Sequence, residues 1–353
     1  MKLLFVVPYP EGEAASQRFR VEQFLPLLQA KGVKYKVAPF WDAWCWRVLY
    51  KPGNLFTKAE GLVSGYAKRL FLLLQLPFYT HVFVHREASP LGPPWFEWLA
   101  AKVFRKKLIY DFDDAIWLPN TTEGNEIAAK LKWTQKVKYI CSWSYKVSCG
   151  NKFLQQYALR RNQASVFLPT TVDINHYNTL KNQHTEEIVI GWIGSHSTIP
   201  YLKLIEPVLQ QLEQKYSFRF VVIADQKPEL KLRSLEYIPW KKETEIDSLL
   251  QLNIGVMPLP DTEWARGKCA FKALQYMALG IPAVVSAVGA NTEAVPNKVV
   301  GYTCNTQKGW YERLEQLIQD ESLRERLGAE GRNWVQAHYS VDAHASAFLN
   351  LFT

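Results

Sequence analysis

Two lysines and a glutamine in the last third of the chain have the spacing of groups on one helix face. Lys268, Lys272 and Gln275 are separated by four and then three residues, and side chains at i, i+4 and i+7 project from a helix in one direction. Ammonium groups near a helix N-terminus suit a diphosphate, and a glutamine one turn deeper could hydrogen-bond a sugar hydroxyl. The same spacing also fits an ordinary solvated lysine face.

The surrounding residues predict the elements that would position this face. Good helix formers run from 270 to 278, Gly280 follows as a stop signal, and Pro282 cannot continue a helix. The apolar run 283–286 is typical of a strand that is covered on both faces. We therefore predict a loop, a helix, a turn and a buried strand over 264–286.

Three carboxylates follow a predicted strand in the first half of the chain. Asp111, Asp113 and Asp114 come at the end of the strand over 108–110, where open α/β sheets bind ligands. Carboxylates this close together shift one another's pKa values and are often functional. Two other interpretations stay open: a D-x-D pattern can hold a metal–diphosphate, and Asp113 or Asp114 could cap a helix.

Basic residues stand near two other strand ends of the first half. Arg18 and Arg20 lie where the loop after the first strand, over 2–8, meets a helix predicted over 17–31. His85 and Arg86 follow the strand over 81–84. We expect these four residues to face an anionic acceptor or the phosphates of a donor, although surface arginines at a helix start are an equally simple interpretation.

Composition and charge limit the classes of function and of binding partner that we expect for this protein. The chain has 353 residues, of which 48% are hydrophobic, so two domains can each bury a core. Residues 1–183 carry 25 Lys and Arg against 13 Asp and Glu, and residues 184–353 carry 17 against 20, which gives +12 and −3. The basic half suits an anionic membrane surface, a lipid-phosphate acceptor or nucleic acid, but no nucleic-acid-binding motif is present.

The stretch 41–77 mixes aromatic and basic residues and fits either a membrane interface or a buried helical pair.

The remaining features predict a cytoplasmic protein, and the basic half is compatible with a peripheral position at the inner face of the membrane. Five cysteines without a pairing pattern fit a reducing compartment and no structural metal. Neither a signal peptide nor an apolar run long enough for a membrane span is visible.

Several segments resemble the retaining GT-B glycosyltransferases of group 1, the family 4 class. Residues 274–284, LQYMALGIPAV, match the family pattern L-E-A-M-A-x-G-x-P-V-V. Residues 168–173, LPTTVD, resemble its linker, and 289–293, GANTE, resemble its G-G-x-x-E turn. Two departures stand out: Gln275 replaces the second glutamate of the family, and Gly267 replaces the first.

The resemblance implies two Rossmann-like domains of α/β class that face each other across a cleft. We expect an acceptor-side domain over 1–172, a donor-binding domain over 173–336, and a final helix over about 337–353 that packs back on the first domain. Because the donor-like motifs come late, this layout disfavours a GT-A fold and its metal-binding D-x-D.

The resemblance also assigns roles to residues. The small-residue loop Gly194-Ser195 lets a phosphate approach the backbone, and Arg266, Lys268 and Lys272 replace the cations that the family carries after that loop. Asp113 falls where relatives have a histidine beside the donor sugar, so we predict a polar or acid–base contact for Asp113 and charge stabilisation by Lys268. The predicted donor-binding residues are Gly194, Ser195, Trp240, Arg266, Lys268, Lys272, Gln275 and Glu293.

The implied reaction is transfer of a sugar, with retention, from a nucleotide-diphosphate sugar to an acceptor hydroxyl. The resemblance implies no metal or other cofactor, a saccharide or lipid-linked acceptor, and a role in bacterial surface polysaccharide or glycolipid synthesis. The alternatives are a nucleotide-sugar epimerase of similar fold and a non-catalytic sugar-nucleotide-binding partner protein, since fold alone does not decide function.

Overall fold

The computed structural model describes residues 1–49, 51, 53–119 and 132–353. The chain divides into two compact units. The first unit contains Met1–Thr170 together with His344–Thr353, and the second contains Thr171–Ala343. The division falls two residues before the sequence-based boundary at 172/173.

The first unit is built on a parallel sheet of six strands in the order β2-β1-β3-β4-β5-β6. Its strands are β1 (Lys2–Val7), β2 (Lys34–Pro39), β3 (His81–His85), β4 (Lys107–Phe112), β5 (Lys146–Cys149) and β6 (Ser165–Phe167). Its helices are α1 (Ala15–Arg20), α2 (Leu25–Ala30), α3 (Ala43–Leu49), α4 (Leu55–Gln75), α5 (Trp95–Trp98), α6 (Lys136–Trp143) and α7 (Lys152–Leu159). β1 and β3 are buried apart from Lys2, as expected of central parallel strands.

The second unit has a parallel sheet of six strands in the order β12-β11-β10-β7-β8-β9. Its strands are β7 (Val189–Gly194), β8 (Arg219–Ala224), β9 (Leu235–Pro239), β10 (Ile254–Met257), β11 (Ala283–Ser286) and β12 (Gly301–Cys304). Its helices are α8 (Glu206–Leu212), α9 (Glu245–Leu249), α10 (Glu263–Arg266), α11 (Phe271–Ala278), α12 (Asn291–Ala294), α13 (Gln307–Gln319) and α14 (Glu321–His338). Numbered from its own first strand, this is the 3-2-1-4-5-6 order of a doubly wound sheet.

The last residues of the chain belong to the core of the first unit. Helix α15 (Val341–Leu349) leads into a short 3₁₀ turn over Asn350–Phe352. The ring of Phe348 stacks on Phe24, with centroids 4.2 Å apart, and Phe352 meets the rings of Phe5 and Phe83. These aromatic contacts bury apolar area that the first unit would otherwise expose.

Most predicted strands are observed, and the differences concern helices. The helix predicted over 17–31 is observed as two shorter helices: α1 ends at Arg20, and a 3₁₀ turn over Glu22–Phe24 separates it from α2. The stretch 41–77 contains two helices, α3 and α4, although residues 50 and 52 of that stretch lie outside the described residues. No helix in the described part of the chain has both the length and the hydropathy needed to cross a bilayer.

Candidate functional site

The sheet order of the second unit defines where a ligand would bind. Strand β7 lies between β10 and β8, so connections leave β7 and β10 towards opposite sides of the sheet. Ligands of doubly wound sheets bind outside the carboxyl ends of the strands at this switch point. The segments that follow β7 and β10 are the loop that begins at Gly194 and the stretch that leads into α11.

Lys272 brings these two segments together. Its ammonium lies 5.3 Å from the centroid of the Trp192 ring. A Cβ atom at Gly194 would lie 2.8 Å from Cε of Lys272 and still closer to the Trp192 ring. Glycine is therefore required at 194, and the lysine side chain lies directly against the loop after β7.

The loop itself is fixed by the neighbouring strand. The backbone N–H of His196 donates to Oδ1 of Asp225 at 2.6 Å, and Nδ1 of His196 is 2.5 Å from Oδ2 of Asp225. Asp225 follows directly after β8. The hydroxyls of Ser195 and Ser197 lie 2.9 Å apart. The loop after Gly194 is thus anchored to the end of β8 through Asp225.

The other predicted cations lie in the stretch before α11. The ammonium of Lys268 lies 4.9 Å from the centroid of the Trp264 ring, and Lys268 is half-buried. Arg266 is exposed and pairs with Asp261, with Nε to Oδ1 at 2.7 Å. The carbonyl of Arg266 would lie 2.8 Å from a Cβ atom at Gly289, whose φ of +54° also favours glycine. The turn predicted from GANTE therefore packs against the Arg266 backbone, and exposed Glu293 stands on the short helix that follows it.

Ala270 has a strained backbone at the start of α11. Its φ is 56° and ψ is 17°, and its side chain is completely buried. A residue with a Cβ atom in this left-handed region costs about 1 kcal/mol, and such strain clusters at ligand sites. The strained residue stands between Lys268 and Lys272.

Gln275 belongs to a buried polar network within the second unit. Its amide nitrogen donates to the hydroxyl of Tyr177 at 2.8 Å and to Oε1 of Glu245 at 3.3 Å. The Tyr177 hydroxyl lies 3.2 Å from the same Glu245 oxygen. The indole N–H of Trp240 donates to Oε2 of Glu245 at 2.8 Å. One carboxylate therefore joins two predicted donor residues, Gln275 and Trp240.

Sequence reasoning gave no functional role to Glu245 or Tyr177. Glu245 is 5% exposed, and its partner Gln275 is 30 positions away, so no local pattern reveals the pair. The available signal was the replacement at 275: where the family pattern has a glutamate, a neutral amide can donate to a carboxylate supplied by another helix.

In the first unit, Arg86 binds the two carboxylates that follow β4, Asp113 and Asp114. Its Nε donates to Asp113 at 2.7 Å and one terminal nitrogen donates to Asp114 at 2.8 Å. Burial would raise the pKa of Asp113, but the charge of Arg86 and its hydrogen bond hold that pKa well below the usual range. Asp113 is therefore ionised at neutral pH. Arg86 itself adopts a left-handed φ of 58°, and its carbonyl accepts from the Tyr110 hydroxyl.

Arg20 and His85 lie in the interior around Asp111. The guanidinium of Arg20 pairs with Asp111 and donates to the carbonyl of Leu168 and, at 3.0 Å, to the hydroxyl of Ser148. Nδ1 of His85 lies 2.8 Å from the other Asp111 oxygen. Arg20 is 1% exposed and His85 is completely buried. These positions give both residues a structural role and do not support the expectation that they face an acceptor.

Arg18 differs from Arg20. It is half-buried, and its guanidinium lies 4.9 Å from the ring centroid of Phe19. Because the two arginines stand on one short helix, two residues apart, they point in different directions. The D-x-D interpretation finds no support either, since Asp111 pairs with Arg20 whereas Asp113 pairs with Arg86.

Comparisons with known proteins identify similar sequences and folds. Residues 187–320 match the model of the family described as glycosyl transferases group 1. No curated protein matches the chain. Among solved structures, sucrose-phosphate synthase from Thermosynechococcus elongatus is similar over 99% of this chain and 98% of its own, with 14% identity and a TM-score of 0.71.

Two further solved structures are similar over the same extent. HepE from Anabaena, in complex with UDP and glucose, has 12% identity and a TM-score of 0.68. The catalytic domain of starch synthase IV from Arabidopsis thaliana, bound to ADP and acarbose, has 10% identity and a TM-score of 0.68. Each covers 99% of this chain and 98% of its own.

At sequence identities of 10–14%, the similarity to these solved structures is a similarity of fold. The chain consists of two Rossmann-like α/β units of the GT-B fold, and its residues 187–320 are similar to the group 1 glycosyl transferases.

Proposed function

We propose that this protein transfers a sugar, with retention, from a nucleotide-diphosphate sugar to an acceptor hydroxyl. The observation that carries the proposal is the position of Lys272 against the Gly194 loop at the switch point of the second sheet. This point lies inside the segment that matches the group 1 model. HepE with UDP and glucose, and starch synthase IV with ADP, support a nucleoside diphosphate as the leaving group.

The chemical requirement is to stabilise charge that grows on the departing diphosphate. Lys272 lies in the first turn of α11 and Lys268 shortly before it, so both ammonium groups are carried next to the end of the helix that has unpaired backbone N–H groups. Fixed positive groups of this kind stabilise a transition state without reorganisation. We propose that they, with Arg266, replace a metal ion in this role.

The buried network around Glu245 would position the nucleoside. We propose that the Trp240 indole, held at its N–H by Glu245, lies beside the base. Gln275 would orient the ribose through its carbonyl oxygen, since its amide nitrogen is directed to Tyr177 and Glu245. Glu245 thus supplies the carboxylate that the family pattern places at position 275.

Asp113 fits an anionic contact better than a proton donor. Its pairing with Arg86 keeps the carboxylate ionised at neutral pH, and a general acid must carry a proton. We propose that Asp113 orients the sugar or the acceptor as a hydrogen-bond acceptor.

The acceptor would be a saccharide or a lipid-linked hydroxyl recognised by the basic first unit. Residues 1–170 contain 24 Lys and Arg against 12 Asp and Glu, and such a field attracts anionic molecules. These properties suit the synthesis of surface polysaccharide or glycolipid.

The test is turnover of nucleotide-diphosphate sugars by the purified protein. We expect slow release of nucleoside diphosphate from one donor of a UDP-, GDP-, ADP- and dTDP-sugar panel, and faster release when a hydroxyl acceptor is added. The anomeric configuration of the product, measured by NMR, should be that of the donor. Binding of a donor without any turnover would instead support a non-catalytic sugar-nucleotide-binding protein, and conversion of the donor to its epimer would support an epimerase.

A further inference from the structure

Helix α4 of the first unit has its apolar residues on the outside. Phe56 is 95% exposed, and the other large apolar residues of the outer side are each at least 59% exposed. Counted at 100° per residue, most of them fall within about 60° of one line along the helix. These residues, the outer apolar face, are Phe56, Val63, Leu70, Phe71 and Leu74, continued by Phe78 just after the helix.

The inner side of α4 fixes this orientation. A Cβ atom at Gly61 would lie 2.3 Å from Sγ of Cys45, and one at Gly65 would lie 2.4 Å from the Phe40 ring. Arg69 is completely buried and donates to the carbonyls of Ala88, Ala38 and Val7. These contacts depend on small residues and on a buried guanidinium, so α4 cannot rotate to cover its outer face without breaking them.

Lysines stand at both ends of the outer apolar face. At the first end, the ammonium of Lys58 donates to the carbonyl of exposed Lys51 at 2.6 Å. At the other end, Lys36 donates to Oε1 of Gln75 at 2.8 Å and Lys106 to the carbonyl of Pro77 at 3.2 Å. Glu60 is the one acidic residue between positions 43 and 86.

We propose that the outer apolar face of α4 binds the surface of an anionic phospholipid bilayer. Apolar side chains would enter the boundary between headgroups and acyl chains, with the helix parallel to the membrane plane. Its 21 residues span about 30 Å, so lysines at both ends reach headgroup phosphates together. Such lysines add to the affinity when the lipid is anionic.

The charge pattern favours a bilayer over a second copy of the chain. If two copies paired through this face, the lysine-bearing ends would meet like charges in either direction of pairing, and like charges facing each other are unfavourable. An anionic bilayer complements both ends at once.

The experiment is co-sedimentation of the full chain with vesicles, without any sugar donor, so its outcome is separate from that of the proposed function. Phosphatidylcholine vesicles that contain phosphatidylglycerol should bind the protein, vesicles of phosphatidylcholine alone should bind it weakly, and raised salt should reduce binding. The variant Leu70→Glu/Leu74→Glu should lose roughly tenfold or more of the partition into anionic vesicles, because two exposed leucines no longer enter the lipid.

The matched control is Leu180→Glu, which changes an equally exposed leucine of the second unit and should leave binding unchanged. Far-UV circular dichroism checks folding, and Phe56→Ser/Val63→Ser replaces the first variant if that variant is unfolded. Unchanged vesicle binding by the folded face variant would overturn the proposal, and so would equal binding to neutral and anionic vesicles. A change from dimer to monomer without a change in vesicle binding would show that the face joins two copies instead.

Discussion

The two units place charged residues differently at the carboxyl edges of similar sheets. In the first unit, the carboxylates at the end of β4 hold arginines: Asp111, within the strand, pairs with Arg20, and Asp113 and Asp114, just after it, pair with Arg86. In the second unit, Lys268 and Lys272 lie over the indole rings of Trp264 and Trp192. Removing one partner of a buried ion pair is strongly destabilising, because it leaves the other charge uncompensated.

The comparison indicates that the same kind of sheet edge carries charges for stability in the first unit and for activity in the second. Paired charges in the interior of the first unit fix the ends of β3 and β4, so their removal should cost stability. Lysines of the second unit stand at the switch point where we propose that the diphosphate binds, so their removal should cost activity. The predictions below test this distinction, from the largest expected effect to the smallest.

Arg20→Met should destabilise the first unit by about 3–5 kcal/mol, because it leaves the Asp111 carboxylate buried without its guanidinium. Urea unfolding followed by circular dichroism measures this loss. Arg18→Met on the same short helix is the control and should change the free energy of unfolding by less than about 1 kcal/mol. Equal stability of wild type and Arg20→Met would contradict a structural role for this pair.

Lys272→Met should reduce donor turnover by about a hundredfold, because one fixed positive group is lost beside the leaving diphosphate. Its free energy of unfolding should change by less than about 1 kcal/mol, since methionine keeps the apolar stem that packs near Trp192. Lys308→Met, at a solvent-exposed lysine of α13 that pairs with Glu312, provides the matched control. A Lys272→Met enzyme with wild-type turnover would remove this lysine from the mechanism.

Gln275→Glu restores the residue of the family pattern, yet it should destabilise the second unit by about 2 kcal/mol. The new carboxylate would lie near the buried carboxylate of Glu245, because the Gln275 amide now sits 3.3 Å from it. Adding Glu245→Gln should recover most of the stability, which thermal unfolding of the single and double variants would show. If Gln275→Glu is as stable as wild type, the network does not depend on one carboxylate.

Acid should weaken the first unit through His81. Burial and the charges of Lys107 and Lys146 lower the pKa of His81 to about 4, from 6.5 in an unfolded chain. The neutral form is therefore favoured in the fold, and its contribution is complete above pH 6.5 and lost as the pH falls from 6.5 towards 4. Unfolding free energies should fall by about 2 kcal/mol over this window, and less in His81→Gln. Parallel pH profiles for the two proteins would exclude this histidine as the cause.

Ala270→Gly should have the smallest effect, a gain of less than about 1 kcal/mol in the stability of the second unit. Glycine adopts the φ of 56° without a Cβ clash, although it also gains freedom in the unfolded chain. Differential scanning calorimetry measures the shift. Gly289→Ala, at the other left-handed residue near this site, should be destabilising because its Cβ would collide with the Arg266 backbone.

Local patterns predicted the helix and strand over 264–286, because Gly280 and Pro282 mark the helix end whatever the tertiary structure. Other features depend on distant contacts. The break after Arg20 coincides with a pairing 91 positions away, to Asp111.

The candidate site shows the same division between local and distant information. The single helix face predicted for Lys268, Lys272 and Gln275 is not observed. Because α11 begins at Phe271 after left-handed Ala270, Lys268 precedes the helix and Lys272 lies in its first turn. Their aromatic supports, Trp264 and Trp192, were not predicted, because Trp192 lies on β7, 80 positions before Lys272. The outward direction of apolar residues on α4 was equally hidden, since periodicity locates an apolar stripe but not the side on which the protein lies.

A crystal structure with the nucleoside diphosphate of the donor that turns over tests the central claim most directly. The account predicts a phosphate oxygen within hydrogen-bond distance of the Lys272 ammonium and of a backbone N–H in the loop after Gly194. A diphosphate bound away from both the Gly194 loop and Lys272 would contradict it.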